Sequence, residues 1–405
     1  MNTKIRLTLM NFLQYAVWGA WLISLGAYLG NTLKFDGLQI GSFFATVGIA
    51  SLFMPAVMGI IADRWIPAQR LLGLCHLFAA GFITLAATRT DYNSLYTLVL
   101  LSVMFYMPTI ALSNSVAYNA LEKAGLDTVT HFPPIRVWGT VGFICAMWVV
   151  DLGKMGLSAT QLYFSATLGL ILGLYSFTLP NCPINRSGGG KSIVDLLGLR
   201  AFALFKQRKM AIFFIFSMLL GMSLQITNAF ADGYIKSFGD TGIHGAKYLG
   251  TFGVEHSTIL ISLSQISETL CILLIPFFLK RFGIKRVMLI AMFAWVLRFA
   301  LLGAGNPGPG VILPMIVYGV AFDFFNISGS LFVEKETSAA IRSSAQGVFM
   351  IMTNGLGALI GSYLAGWVVN HYGWPLSWYL FAGFSLVVAI VFAVIFKYKH
   401  DPNRI

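Results

Sequence analysis

The chain has 405 residues, of which 57% are hydrophobic and only 10% charged, and a net charge of +12. Soluble globular domains carry about 25% charged and roughly 45–50% apolar residues. Water-soluble classes are therefore excluded, and so is disorder, which requires low hydrophobicity. A membrane-spanning helix takes about 20 apolar residues, so twelve use roughly 240 and leave short connections. The composition is that of a polytopic membrane protein.

The N-terminus places Lys4 and Arg6 before an apolar run from Leu7 to Leu29, in imitation of a signal peptide. The run is too long, and no small-residue cleavage site is evident before Ala27, so an uncleaved first span is expected. The apolar stretches predict spans at 7–30, 40–61, 71–88, 95–118, 136–153 and 160–180. A second set follows at 210–234, 257–279, 287–304, 311–333, 345–370 and 374–396. Between the sets lies Asn181–Lys209, the most polar stretch, with Ser187-Gly-Gly-Gly190 and six basic residues; Gly/Ser runs make flexible linkers. The expected organisation is a six-helix bundle over 1–180, a basic cytoplasmic linker over 181–209, and a second six-helix bundle over 210–405.

With both termini in the cytoplasm, this arrangement puts twenty of the 27 Lys and Arg residues inside and five outside, with Arg136 and Arg298 in or beside spans. That is the bias the positive-inside rule demands. Topology thus accounts for the positive charge without a nucleic-acid partner. The two halves also share a tight basic turn after their second span. One is Gly59-Ile-Ile-Ala-Asp63-Arg64 through Arg70, the other Lys280-Arg281-Phe-Gly283-Ile-Lys285-Arg286. Parallel six-span repeats are the architecture of major facilitator transporters, with the site at the midplane. The first turn resembles that superfamily's Gly-x-x-x-Asp-Arg loop, without its usual Gly-Arg-Lys continuation.

Ionisable groups at bilayer depth are costly and usually line a cavity or a proton path. Glu268 falls mid-span with Gln265 three residues before it, on one helix face. Asp323 falls mid-span between Tyr318, Phe322 and Asn326, and Gln225 and Asn228 share a face of span seven. The structural alternative is that such groups bridge helices, at about 0.6 kcal/mol per pair; it suits the amides better than the two acids. A carboxyl taken out of water binds a proton more readily, which is what coupling to a proton gradient requires. Arg298 can pair with one carboxylate, and Asp323 is the preferred partner.

In span five, Pro133 and Pro134 can start a helix, and Arg136, Thr140 and Phe143 then recur on one face. Arg136 can alternatively snorkel to the boundary. Gly139 and Gly142 suit close helix packing. Tyr15, Trp18 and Trp21 fit a cavity wall or an interfacial belt, and His76 fits a hydrogen-bonded buried site better than a proton relay. Cys75, Cys145, Cys182 and Cys271 are far apart, so free thiols are expected and no metal site. No Walker loop, HExxH or Ser/His/Asp signature is present, so no enzyme activity is expected.

Longer stretches carry a resemblance. They include Phe12-Leu-Gln-Tyr15 with Trp18-Gly-Ala-Trp21, Leu33-Lys-Phe-Asp-Gly37 and Asp127-Thr-Val-Thr-His-Phe-Pro-Pro-Ile-Arg136. Further ones are Ala203-Leu-Phe-Lys206, Met210-Ala-Ile-Phe-Phe214, Leu224-Gln-Ile-Thr-Asn228 and Ser264-Gln-Ile-Ser-Glu268-Thr. The most specific is Ile316-Val-Tyr-Gly319 running into Ala321-Phe-Asp-Phe-Phe-Asn-Ile-Ser-Gly-Ser330. Through these the chain resembles, end to end, the bacterial nucleoside:proton symporters of the major facilitator superfamily. The resemblance implies nucleoside binding between the halves at Arg136, Thr140, Phe143, Gln225, Asn228, Gln265, Glu268, Tyr318, Phe322 and Asp323. Departures lie in the outer loop Gly239–Val254 and the tail after Lys399, and they leave the substrate range open.

The expected function is proton-coupled import of purine and pyrimidine nucleosides, with xanthosine a candidate, by alternating access across the bacterial inner membrane. Glu268 and Asp323 are the expected proton-coupling residues, Glu268 first. No cofactor is expected, the proton gradient being the energy source. The expected partners are nucleoside, protons and lipid, with the protein a monomer. The rival readings are a sugar or oligosaccharide:proton symporter and a non-transporting nucleoside sensor.

Overall fold

A computed structural model describes residues 2–184, 199–240, 247–305, 309–338 and 341–398. Among them the apolar runs form helices and no strand occurs. In lipid a helix satisfies its backbone N–H and C=O groups within one segment. Nine of these helices are long and apolar enough to cross a membrane. They include Gly37–Arg64, Ala68–Ala87, Tyr92–Lys123, Arg208–Ser237, Pro309–Glu336 and Leu376–Ile395. The 17-residue helices Thr3–Gly19 and Thr160–Ser176 are shorter.

The chain divides into two compact units, Met1–Phe35 with Thr46–Leu197, and Asp36–Ala45 with Gly198–Ile405. The central part of the expected linker, 185–198, lies outside the described residues.

In the first unit the expected span 7–30 is not one helix. Its α-helix stops at Gly19, and after a turn the chain resumes as Leu25–Ala27 and a π-helical Tyr28–Thr32. Side chains of the Thr160–Ser176 helix support this break. Ser165 donates to the Val17 carbonyl at 2.7 Å, and Ser24 donates to Gln161 Oε1 at 2.7 Å. The fifth span, expected from 136, already begins at Thr128. Its start is set not by the prolines but by Asp127, whose Oδ2 accepts from the Thr130 N–H at 2.8 Å, a side-chain cap on an otherwise unpaired donor. This helix packs on Thr3–Gly19 with backbones in contact: a Cβ on Gly142 would strike the Phe12 backbone, and one on Gly19 that of Phe143. The start of the linker is fastened too. Gln69 donates to Asn181 Oδ1 at 2.6 Å and accepts the Cys182 N–H at 2.9 Å.

In the second unit the helix Ser257–Gly303 bends sharply at Gly283, with φ 76° and ψ 166°. Only glycine adopts that conformation without strain, and it lies inside the basic turn expected from the sequence. Arg342–Met350 passes into a π-helical stretch, Ile351–Gly357, and then into Ala358–Tyr372. Asn370 Oδ1 accepts the Gly37 N–H at 2.6 Å.

Asp232 is 1% exposed and anchors one end of this unit. Its carboxylate accepts from Lys236 Nζ at 2.6 Å, Ser257 Oγ at 2.5 Å and Thr258 Oγ1 at 3.1 Å. The Arg208–Ser237 helix is thereby tied to the first turn of Ser257–Gly303, where a negative charge also favours the helix dipole. Removing one partner of a buried ion pair costs about 3 kcal/mol, and removing one neutral donor about 1 kcal/mol. Asp232→Ala is therefore expected to lower the thermal unfolding midpoint in detergent clearly more than Ser257→Ala. A midpoint for Asp232→Ala equal to wild type would contradict this anchoring.

Candidate functional site

The site residues of the second unit are organised by one close helix approach. Gly319, in Pro309–Glu336, presses on Ser267 of Ser257–Gly303: a Cβ there would stand 2.5 Å from the Ser267 carbonyl oxygen. Ser267 Oγ also donates to the Ile316 carbonyl. Small residues permit such contact between membrane helices. The contact sets Glu268, the next residue along, beside Asp323, one turn beyond Gly319. The two carboxylates are near enough to interact electrostatically. Asp323 is 5% exposed, and its Oδ2 has no hydrogen-bond partner. Glu268 and Gln265 are half-buried.

Tyr318 sits at the centre of this group. Its ring stacks on Phe322 at 5.6 Å with an interplanar angle of 8°, and meets Trp295 edge-on at 6.0 Å. Glu268, Asp323 and Arg298 all bear on it electrostatically, and the Gln265 amide is within hydrogen-bonding reach of its hydroxyl.

The expected pairing of Arg298 with Asp323 is not found. The guanidinium, 1% exposed, donates to the Pro314 carbonyl and to Ser264 Oγ at 3.5 Å, and lies 4.7 Å over the Tyr318 ring. The ring face takes the place of a counter-ion, since aromatic quadrupoles attract cations. Arg298 thus braces Tyr318 from the helix behind it, and the acids remain with each other.

Gln225 and Asn228 stand three apart on Arg208–Ser237. Gln225 is 5% exposed, yet its Oε1 has no partner, an unusual condition for a buried carbonyl oxygen. Asn228 is half-buried.

In the first unit, Arg136, Thr140 and Phe143 lie on Thr128–Leu152. The Arg136 guanidinium rests 3.9 Å over the Tyr15 ring. Gly139 makes room for it, because a Cβ there would meet Tyr15 at 2.6 Å and Arg136 Nη1 at 2.8 Å. Thr140 is half-buried and Phe143 buried. Trp21 is buried as well, and half-buried Trp18 packs on Tyr106 at 5.5 Å. Behind them runs a buried polar chain. His76 Nε2 meets Gln14 Oε1 at 2.8 Å, Gln14 donates to Thr109 Oγ1 at 2.7 Å, and Tyr106 donates to the Gln14 carbonyl at 2.7 Å. His76 is thus a hydrogen-bonded interior residue.

Sequence reasoning missed the Gln14 centre of that chain and missed Asp232, which falls near an expected span end. The Asp232–Lys236 spacing of four was the available signal. The four cysteines are free thiols. Among the described residues no three His, Cys, Asp or Glu side chains gather as a metal site would require.

Residues 1–401 match the family model described as nucleoside H+ symporter. The nucleoside permease NupG of Escherichia coli (strain K12) is 50% identical over 410 residues, covering 99% of this chain and 97% of that protein. The xanthosine permease of the same organism is 49% identical, covering 100% and 98%. The crystal structure of nucleoside transporter NupG aligns with a TM-score of 0.91 and that of its D323A mutant with 0.94, each at 50% identity over 98% of this chain and 100% of the other.

The Gly319 contact is testable as packing. Gly319→Ala forces two backbones apart, and overpacking of this kind costs about 1–3 kcal/mol. Gly347→Ala is the control: its Cβ meets nothing within 4 Å, and alanine favours a helix by about 0.5–1 kcal/mol. Thermal unfolding in detergent should fall for the first and hold or rise for the second. Equal midpoints would contradict the close approach.

Proposed function

This chain belongs to the nucleoside H+ symporter family, and from that premise we propose how its residues bind a nucleoside and couple it to a proton. It is a multi-pass membrane transporter and not an enzyme. The finer reading is twelve spans in two six-helix bundles, 1–180 and 210–405, joined by the cytoplasmic segment 181–209. Both termini lie in the cytoplasm, and the protein works as a monomer among lipids in the bacterial inner membrane. Three features support twelve: the two 17-residue helices, the break of Ser257–Gly303 at Gly283, and the 20:5 distribution of basic residues. No cofactor enters the reading.

The observation that carries it is the pair of half-buried Glu268 and buried Asp323, set by one helix packing contact and flanked by an aromatic stack and amides. A nucleoside is an uncharged planar ring joined to a polyhydroxylated sugar. Phe322 and Phe143 offer faces on which a base can pack, as aromatics do for single-stranded nucleic acids. Arg136, Gln225, Asn228 and Gln265 supply hydrogen bonds that orient the substrate, joined by Thr140 and the Tyr318 hydroxyl. The unpartnered Gln225 oxygen is suited to a ribose hydroxyl.

Glu268 loads the proton. It stands half-buried where Asp323 is enclosed, so it is the acid that water reaches more readily. With no cation on Asp323, the two carboxylates repel when both are charged, and a proton relieves that repulsion. Protonation and substrate binding then reach the same helices, and alternating access carries both across. Xanthosine enters the range through the 49% identity to a xanthosine permease.

Uptake of labelled uridine and xanthosine in cells lacking their own nucleoside permeases tests this. A protonophore should abolish accumulation of whichever is taken up. Glu268→Gln should remove the pH dependence and uphill accumulation while leaving exchange of labelled for unlabelled uridine. Undiminished uphill uptake in that variant would overturn the role given to Glu268.

A further inference from the structure

A cavity within the second unit holds two polar side chains that the functional reading above does not use. It has about 280 Å³ of empty space, counting the part open to solvent, and its walls include Trp295, Phe322, Phe325, Asn326 and Asn354. No ionisable residue lines it. The enclosed part is about 20 Å³, little more than one water needs, so it takes the polar edge of a ligand and not the whole of it.

The backbone brings the two asparagines together. Asn354 lies in the π-helical stretch Ile351–Gly357, and such stretches are frequent at functional sites because an extra residue re-aims the side chains. That stretch is seated directly on Arg208–Ser237: a Cβ on Gly221 would meet the Thr353 backbone, and one on Gly357 would stand 2.6 Å from the Met218 carbonyl oxygen. Thr353 donates to the Phe349 carbonyl at 3.0 Å, bridging into the π-helical turn. The fixed backbone holds Asn354 at the cavity wall with Asn326 and Phe322 of the neighbouring helix.

Both amides retain hydrogen-bonding capacity. Asn326 donates to its own helix at the Phe322 carbonyl, 2.9 Å away, which leaves its oxygen available. Asn354 donates to the Met350 sulfur at 3.7 Å, and a thioether is a weak acceptor. Two amides among aromatic walls, with no charge at hand, match a flat, neutral group bearing both a donor and an acceptor.

We propose that Asn326 and Asn354 form a subsite that reads the hydrogen-bonding edge of the nucleobase while Phe322 packs on its face. An asparagine amide can pair with an adjacent donor and acceptor on a base edge, as it does with bases in nucleic acids. On uracil these are N3–H and O4. Because an amide offers a donor and an acceptor and can turn over, the same pair serves purine and pyrimidine edges. The subsite gives breadth to the binding, and Asp323, one turn away on the same helix, is left to the proton. The inference rests on the nucleoside reading of Phe322 given above.

The test compares KM for uridine with KM for the ribosyl pyrimidin-2-one, which keeps the ring and sugar but lacks N3–H and O4. Wild type should prefer uridine. Asn354→Ala and Asn326→Ala should each shrink that preference by about three- to tenfold, the effect of one neutral hydrogen bond. The ratio is independent of how much protein reaches the membrane, and Asn354→Ser serves if the alanine variant does not fold. An unchanged ratio in both asparagine variants, or no wild-type preference, would overturn the subsite and leave the transport assignment standing. Failure of wild type to take up any nucleoside would instead overturn the reading on which the subsite rests.

Discussion

The close seating of Gly319 on Ser267 is the contact on which the second unit's chemistry depends. In lipid there is no hydrophobic gain from pushing two helices together, so association rests on packing and hydrogen bonds. One missing side chain allows the backbones to meet, and the Ser267 hydroxyl adds a bond to the Ile316 carbonyl. Two acids on different helices are thereby brought together where solvent would otherwise separate them. The arrangement is unfavourable for two negative charges and becomes acceptable once a proton or an incoming donor arrives. A local packing choice thus becomes a requirement for ligand.

Within the second unit, two cations are engaged away from Asp323. Arg298, fully buried, is taken up by the Pro314 carbonyl and the Tyr318 ring. Lys236 is held by Asp232 of its own helix, Arg208–Ser237. In the first unit Arg136 lies on Tyr15 in the space Gly139 leaves. Buried Arg298 and half-buried Arg136 each rest on a tyrosine ring. Each ring places the guanidinium while contributing no net charge.

Much of this was legible in the sequence, for definite reasons. Long apolar runs have one outcome in lipid, so helix existence followed from composition. The polar residues Gln265, Glu268 and Asp323 stood out because polarity at midspan is costly, and Tyr318 and Phe322 as an aromatic stripe beside them. What could not be read were features that depend on a second helix. The Arg298 partner was misjudged because charge alone suggested a carboxylate, and nothing in a one-dimensional pattern places Tyr318 beneath a guanidinium. The break after Gly19 depends on Ser165 and Gln161, some 140 residues away. The early start at Thr128 was legible in principle through Asp127 and Thr130, but the two prolines were the stronger signal. Asn354 escaped notice because a π-helical turn shifts the face a residue presents relative to ordinary helical spacing.

The most direct measurement is of protons that move with substrate. Purified protein in liposomes, with a pH-sensitive dye inside and no imposed gradient, is given external uridine. If Glu268 and Asp323 carry the coupling, uridine entry acidifies the lumen in wild type. In the doubly neutral Glu268→Gln, Asp323→Asn protein the acidification disappears, while exchange of labelled uridine shows whether the carrier still cycles. Acidification that persists in that variant, in step with uridine entry, would contradict the role of the pair.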